Sequence, residues 1–172
     1  MTELVTPRCR LSPATPSDVP LIAALYAEPA VRRYLGGAQP ADQAARSAHR
    51  IVADGARRLF AARLKLKGYM IGVVALGPHH DGQFIELSYM FDPAYWRLGL
   101  ATECAAAVLA HAFDALAHDT IVAETRTENT ASRRLLERLG MSRLKSLRRF
   151  GEKQDLYILR AADWRDRMDA TG

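Results

Sequence analysis

The stretch from Phe84 to Thr127 constrains this chain most, because an apolar strand, a small-residue loop, a long helix and a β-branched strand follow one another in it. When a chain leaves a sheet through a helix and returns to pair with its own starting strand, the two strands run parallel and the crossover is right-handed. The pattern therefore predicts a parallel central pair, 84–91 with 120–127, and a ligand crevice where that pair ends. The loop between strand and helix reads Trp96-Arg97-Leu98-Gly99-Leu100-Ala101-Thr102. Gly99 and Ala101 leave the backbone accessible, so N–H groups at the helix start can point at a phosphate. The aligned peptide dipoles put about half a positive charge there, which favours a pyrophosphate. No Gly-x-x-x-x-Gly-Lys-Ser/Thr occurs, and 99–104 lacks the three-glycine spacing of a dinucleotide fingerprint.

The rest of the chain alternates helix and strand signals. Arg8 to Leu11 reads as a first strand, and Thr15-Pro16-Ser17-Asp18 opens a helix with Leu21, Ile22, Leu25 and Tyr26 at helical spacing. A second helix runs from Ala41 to Asp54. Strands follow at 59–64 and 69–76, joined by a turn at 65–68, and a Gly-Pro-His-His-Asp-Gly loop precedes the strand at 84–91. The helix from Gly99 to about His118 carries Ala105, Leu109, Ala112, Phe113 and Leu116 on one stripe. A short helix, 130–139, is capped by Asn129 and closed by Gly140, and strands at 142–150 and 154–159 finish the sheet. One α/β domain over residues 1–172 is expected, with its core in 8–164 and loose segments around 36–37, 77–82 and 169–172.

Composition narrows the setting. No 18-residue apolar run and no charged-then-apolar start occur, so a cytoplasmic protein without membrane association is expected. Cys9 and Cys104 form no Cys-x-x-Cys, and Cys104 falls in the long helix as a small core residue. Lys and Arg number 24 against 19 Asp and Glu, a net charge of +5, which helps to attract an anionic ligand. The basic residues of the last third are interleaved with leucines and lack the aromatic platform of a nucleic-acid binder, so nucleic acid is not an expected partner. A homodimer is left open.

In the order and spacing of its motifs the chain resembles the GNAT superfamily of acetyl-CoA-dependent N-acetyltransferases. Within that superfamily it is similar to the RimJ/RimL-like branch, which includes ribosomal-protein N-terminal acetyltransferases. The pieces are 8–13 with Asp18, Glu28 to Leu35, Ile71-Gly72-Val73-Val74, Trp96 to Glu103 with Ala112-Phe113, Asn129 to Arg133 with Leu139-Gly140-Met141, and Asp155-Leu156-Tyr157 with Trp164. The resemblance implies a mixed, mostly antiparallel sheet of about six or seven strands, a splayed central parallel pair and helices on both faces. It implies that backbone N–H groups of Trp96, Arg97, Leu98, Gly99, Leu100, Ala101 and Thr102 grip the pyrophosphate of coenzyme A. It also implies that the backbone at Met90 and Phe91 pairs with the pantetheine arm. The family loop usually reads Trp-Gly-Lys/Arg-Gly-x-Ala; here Arg97 stands where a glycine is usual.

Acetyl transfer to an amine needs a neutral nucleophile, a polarised thioester carbonyl and a proton for the leaving thiolate. An α-amine has a pKa of about 7.7 to 8.0, so a weak base suffices. Glu86 is the candidate, on one strand face with Ser88 and Met90; a cross-strand ion pair is its other reading. The Phe91 N–H is the candidate oxyanion donor. Many GNAT enzymes protonate the thiolate with a tyrosine in the helix after the asparagine, but the matching position is Leu136. The branch resemblance puts Ser132 near the sulfur instead; a local helix-start hydrogen bond is the competing reading. Asn129 is read both as helix cap and as a contact to the pantetheine amides. Arg32, Arg33 and Tyr34 lie in the region that covers the acceptor in GNAT proteins, and with Ser88 they are candidates for acceptor contacts. The His79-His80-Asp81 loop reads as a hairpin turn, and no metal is expected. The acceptor is left open between a protein N-terminus and a small amine such as an aminoglycoside, polyamine or amino sugar. A non-catalytic acyl-CoA sensor is the competing class.

Overall fold

The computed structural model describes residues 2–170; Met1 and the last two residues of the expected loose tail lie outside the described residues. Its strands are β1 (Leu4–Val5), β2 (Cys9–Pro13), β3 (Arg58–Leu64), β4 (Met70–Pro78), β5 (Ile85–Phe91), β6 (Thr120–Arg126), β7 (Ser142–Arg149) and β8 (Glu152–Arg160). They form one eight-stranded sheet in the order β1-β2-β3-β4-β5-β6-β8-β7. Every neighbouring pair is antiparallel except β5 with β6, the expected parallel pair. The eighth strand is β1, too short at two residues to leave a periodic signal in the sequence.

The helices are α1 (Val19–Ala27), α2 (Pro29–Arg32), α3 (Ala41–Ala53), α4 (Leu100–Ala110), α5 (Thr130–Arg138) and α6 (Ala161–Asp169). Among the described residues none is long and apolar enough to cross a membrane. The fold is the expected α/β arrangement with helices on both faces. On one face Leu87, Phe91, Ile121 and Ala123 pack against Cys104, Val108 and Leu109 of α4 and Leu135 and Leu136 of α5. On the other, Val73 and Ala75 pack against Ile22 and Leu25 of α1 and Ala48 of α3. Alternation along a strand therefore decides which layer a residue serves. On β5, 85, 87, 89 and 91 face α4 and α5, whereas 86, 88 and 90 face α1 and α3.

Besides β1, three elements differ from the sequence reading: the short α2, which it lacked, α4, which ends early, and α6. The helix expected to reach His118 stays α-helical only to Ala110 and widens into a π turn, His111–Ala115, before Ala117 in the left-handed region at φ 54° stops it. The apolar stripe persists through the change, with Ala112 and Phe113 buried. The periodicity thus marks what is buried and not which helix type buries it. The C-terminal α6 carries few apolar residues, yet it docks through Ala161 and Trp164, whose ring lies 5.9 Å from that of Phe113.

Candidate active site at the splayed strands

The loop between β5 and α4 is fixed from both ends. Trp96 donates its indole N–H to the Phe91 carbonyl at 2.7 Å, folding the loop back on the strand it left. Arg97 and Gly99 both adopt left-handed backbone, at φ 62° and 76°. The first bond inside α4 runs from Glu103 N–H to Gly99 carbonyl at 3.0 Å, so the N–H groups of Leu100, Ala101 and Thr102 have no partner within the helix. These are the donors an anion needs. The loop is also braced by the N-terminal hairpin. Glu103 accepts hydrogen bonds from the Thr6 hydroxyl at 2.6 Å, the Arg8 backbone N–H at 2.8 Å and Arg8 Nε at 2.6 Å, and Arg8 Nη1 donates to the Leu98 carbonyl at 2.9 Å. Burial raises the Glu103 pKa, but the Thr6 and Arg8 hydrogen bonds outweigh it and hold the carboxyl below its ordinary value.

The parallel pair is as short as a pair can be while still setting register. β5 and β6 pair only at Ile85 with Ile121 and Glu86 with Val122, and then diverge. Hydrogen bonds at Asp92 to Ile71 and at His79 to Phe84 fix the alternation of the β4–β5 ladder. They direct the backbone groups of 86, 88 and 90 toward β4 and those of 87, 89 and 91 toward the gap. The Phe91 and Tyr89 N–H groups therefore face the gap, as does the Phe91 carbonyl that Trp96 occupies. Met90 bonds to Val73 instead, so the polar backbone that faces the gap belongs to its two neighbours.

On the α5 side of the gap two hydroxyls meet. Tyr89 Oη lies 2.8 Å from Ser132 Oγ, and burial pushes the phenol up to about 12, so it is neutral at physiological pH. Ser132 sits in the first turn of α5, where its N–H donates to Asn129 Oδ1 at 3.2 Å. The cap role of Asn129 is thus realised, and the Ser132 side chain is directed at Tyr89 rather than at the backbone. Leu136 is buried in the core.

Glu86 lies on the opposite face, on the cross-strand row that joins it to Gly77. Burial raises its pKa, against the opposing charges of His79 and His80. Beside it runs an ionic chain, buried at His79 and Glu124: His79 Nε2 is 3.0 Å from Glu124, His79 Nδ1 is 2.9 Å from Asp81, and Arg149 Nε is 2.9 Å from Glu124. Burial alone depresses the His79 pKa, but its two carboxylate partners outweigh that and raise it.

A gap between two strands, orphan N–H donors at one end, hydroxyls on one side and a buried carboxyl on the other describe a site for a long anionic ligand meeting a second reactant. The model of the acetyltransferase (GNAT) domain matches residues 8–142. The chain belongs to the GNAT acetyltransferase family. It is 36% identical over 80 residues to the uncharacterized N-acetyltransferase YoaA of Bacillus subtilis (strain 168), a match spanning 46% of this chain and 44% of that relative. The chain thus aligns with less than half the length of that relative. The GNAT-family acetyltransferase of Bacillus anthracis has the same fold, with a TM-score of 0.82 at 19% identity over 94% of this chain and 99% of that one. So has spermidine N-acetyltransferase of Vibrio cholerae, solved with CoA and spermine, with a TM-score of 0.77 at 18% identity over 91% and 97%.

Within this GNAT fold the residues singled out from sequence fall into three groups. Residues 96–102, Phe91, Asn129 and Ser132 gather along the gap and its loop, and Glu86, Ser88 and Met90 share the face toward α1 and α3. Arg32 stacks its guanidinium 5.3 Å from the Tyr26 ring and donates Nε to the Gly37 carbonyl at 3.1 Å, which places it on that same face. Tyr34 lies under Arg33, with the guanidinium 5.3 Å from its ring, and no described contact joins it to Glu86. Both nitrogens of the His79 ring are engaged by carboxylates inside the hairpin network. Cys9 and Cys104, distant in sequence, are free, buried and near enough for each to influence the other, and burial raises both thiols. The sequence reading missed Tyr89, the Arg8–Glu103 brace and Glu124. Tyr89 was within reach, since period-2 alternation from Glu86 sends it to the opposite face, toward the helix that carries Ser132. The other two needed tertiary pairing.

Proposed function

We propose that this protein transfers the acetyl group of acetyl-CoA to a primary amine by direct attack in a ternary complex. The observation that carries the reading is the opening of β5 and β6 immediately beyond Glu86. It leaves unpaired backbone groups on one strand between a phosphate-binding helix end and a buried carboxyl. Acetyl-CoA supplies the activated acyl carbon. The N–H groups of Leu100, Ala101 and Thr102, with the Trp96 to Gly99 loop, hold the pyrophosphate, and Tyr89 and Phe91 present N–H groups to the pantetheine arm and the thioester oxygen. Met90 flanks the gap from its other face. Asn129, already capping α5, has its amide nitrogen left for the pantetheine. Glu86 removes a proton from the amine on the α1 and α3 face, and burial, which raises its pKa above the ordinary carboxylate value, makes it a stronger base for that task. The proton taken by Glu86 returns to solvent, and as the C–S bond breaks Ser132, held by Tyr89, gives its hydroxyl proton to the departing thiolate and is reprotonated from solvent. This pair supplies from a strand and a helix start what Leu136 lacks.

The resemblance to the RimJ/RimL-like branch supports an α-amine as acceptor, with Arg32, Tyr34 and Ser88 toward it and a protein N-terminus or a small molecule as its bearer. The spermine held by the Vibrio cholerae neighbour makes a small amine the second reading. Thiol release from acetyl-CoA, followed with the purified protein and a panel of amines and peptides, tests the proposal. Amine-dependent release and an N-acetyl product are expected. Tight acetyl-CoA binding with no release for any amine overturns it in favour of an acyl-CoA sensor.

A further inference from the structure

The face that admits the amine is cationic. Extending the β3–β4 register one step from Arg58 opposite Leu76 puts Arg57 opposite Gly77, which is itself opposite Glu86. Arg57, Gly77 and Glu86 thus form one row across three strands. Gly77 has no side chain, and the Arg57 guanidinium lies over it. A Cβ at 77 would meet Arg57 Cζ and Nη1 at 2.8 Å. Arg32, over Tyr26, is half-buried and, among the described residues, finds only the Gly37 carbonyl and that ring. Arg50 of α3, itself exposed, donates to the buried Ser47 at 3.3 Å. All three arginines are close enough to the Tyr26 hydroxyl for their charges to oppose the rise that burial imposes on its pKa. Among the described residues they share one carboxylate, Asp54, 3.4 Å from Arg57 Nε; Arg32 and Arg50 have no acidic partner. A half-buried guanidinium without a counter-charge is costly to hold, and it is stabilised when a ligand brings one.

We infer that the acceptor is a small amine bearing an anionic group, a carboxylate or phosphate within a few atoms of the nitrogen, which Arg57 and Arg32 bind while Glu86 faces the amine. This rests on the acetyl-transfer reading above. The spacing argues for a short molecule: Arg57 and Glu86 project from one row two interstrand spacings, about 9.5 Å, apart, and the Arg57 guanidinium shortens that span by lying over Gly77, so anion and amine belong to one small acceptor. A polyamine, cationic throughout, meets repulsion at the same place.

The test is kcat/KM at saturating acetyl-CoA for matched pairs: α-amino acids against their carboxamides, phosphoethanolamine against ethanolamine, with spermidine alongside. The anionic member of at least one pair should exceed its neutral partner by about tenfold or more, and the better pair tells carboxylate from phosphate. Arg57→Gln and Arg32→Gln should raise KM for that acceptor about tenfold and leave the neutral partner unchanged, while Arg46→Gln, on the exposed side of α3 beside Asp42, changes neither. Equal values within every pair, or spermidine as the best acceptor, overturn the inference. If no amine is acetylated the transfer reading fails separately, and calorimetry on the CoA-saturated protein still decides this one. N-acetylated amino acids should bind about tenfold tighter than their amides, and equal binding refutes an anion site.

Discussion

The two faces of the sheet that meet at the β5–β6 gap are held in opposite ways. On the α4 and α5 face the polar side chains named at the gap all have partners, and only backbone N–H groups are left open: Trp96 is on Phe91, Arg8 and Thr6 on Glu103, Tyr89 on Ser132, Asn129 on the α5 N-terminus. On the α1 and α3 face the charges are numerous and unevenly matched, with a raised carboxyl at Glu86 and arginines that outnumber their carboxylates. The difference fits two kinds of ligand. A cofactor used in every turnover is met by a pre-organised surface, which cuts the cost of ordering on binding. Groups that must change protonation or wait for a variable reactant are left uncompensated until it arrives.

The largest effect should come from the reactive face. Glu86→Gln is expected to lower kcat about 10²- to 10⁴-fold while the acetyl-CoA dissociation constant stays within about twofold. Because the Glu86 pKa is raised, the base is lost on the acid side: the wild-type rate should rise with pH through a pKa above the ordinary 4.5 of a glutamate, and the variant should lack that limb. A variant that loses acetyl-CoA affinity and rate together would erase the division between the faces.

Ser132→Ala should cost about 10²-fold in kcat, and Tyr89→Phe, which keeps the ring and removes the hydroxyl, about tenfold or less. The double variant is the sharper measurement. If the hydroxyls act as one unit, Tyr89→Phe should have little further effect in a Ser132→Ala background. Additive losses would separate them, and a fall in stability of about 1 kcal/mol with normal turnover would return Ser132 to a helix-start role.

How much of this was legible in the sequence follows the same division. The parallel pair, the cradle loop and the Asn129 cap were readable because each depends on neighbours in the chain: periodicity, small residues, a cap three residues before the N–H it receives. The eighth strand, α6, the π turn and the Arg8–Glu103 brace depend on packing between distant segments, which no local pattern reports. Glu86 could be assigned a face by alternation, but its ionic surroundings come from Glu124 on β6, Arg149 on β7 and His79 at the end of β4. The arginine row needed the β3–β4 register to be known.

The brace offers an intermediate test of the ordered face. Glu103→Gln keeps the shape but removes the charge that Arg8 and Thr6 bind, and Arg8→Ala also frees the Leu98 carbonyl. Each should weaken acetyl-CoA binding several-fold, since a loop held by charge-assisted bonds worth about 1.5–3 kcal/mol is released. The maximal rate at saturation should not change. Gly99→Val, which forces a β-branched side chain into φ 76°, should weaken binding more than either, so it is the upper mark on the same scale.

The smallest effect concerns Arg97, where the ordered face departs from the usual family loop. A non-glycine residue at φ 62° carries about 1–2 kcal/mol of backbone strain. Glycine there removes the strain but adds about 0.5–1 kcal/mol of chain entropy to the unfolded state. Arg97→Gly should therefore raise stability by up to about 1 kcal/mol, a shift in Tm of about 2–4 °C for a chain of this size. Arg97→Ala, which keeps the strain and loses the guanidinium, should leave Tm near that of the wild type. The pair separates conformation from charge. If both variants lose acetyl-CoA affinity equally, the Arg97 side chain pairs with a phosphate; if only the glycine variant does, the loop's fixed shape governs binding. Equal Tm for the two variants would mean that the left-handed turn at 97 is not strained, and that the arginine is tolerated there without a penalty.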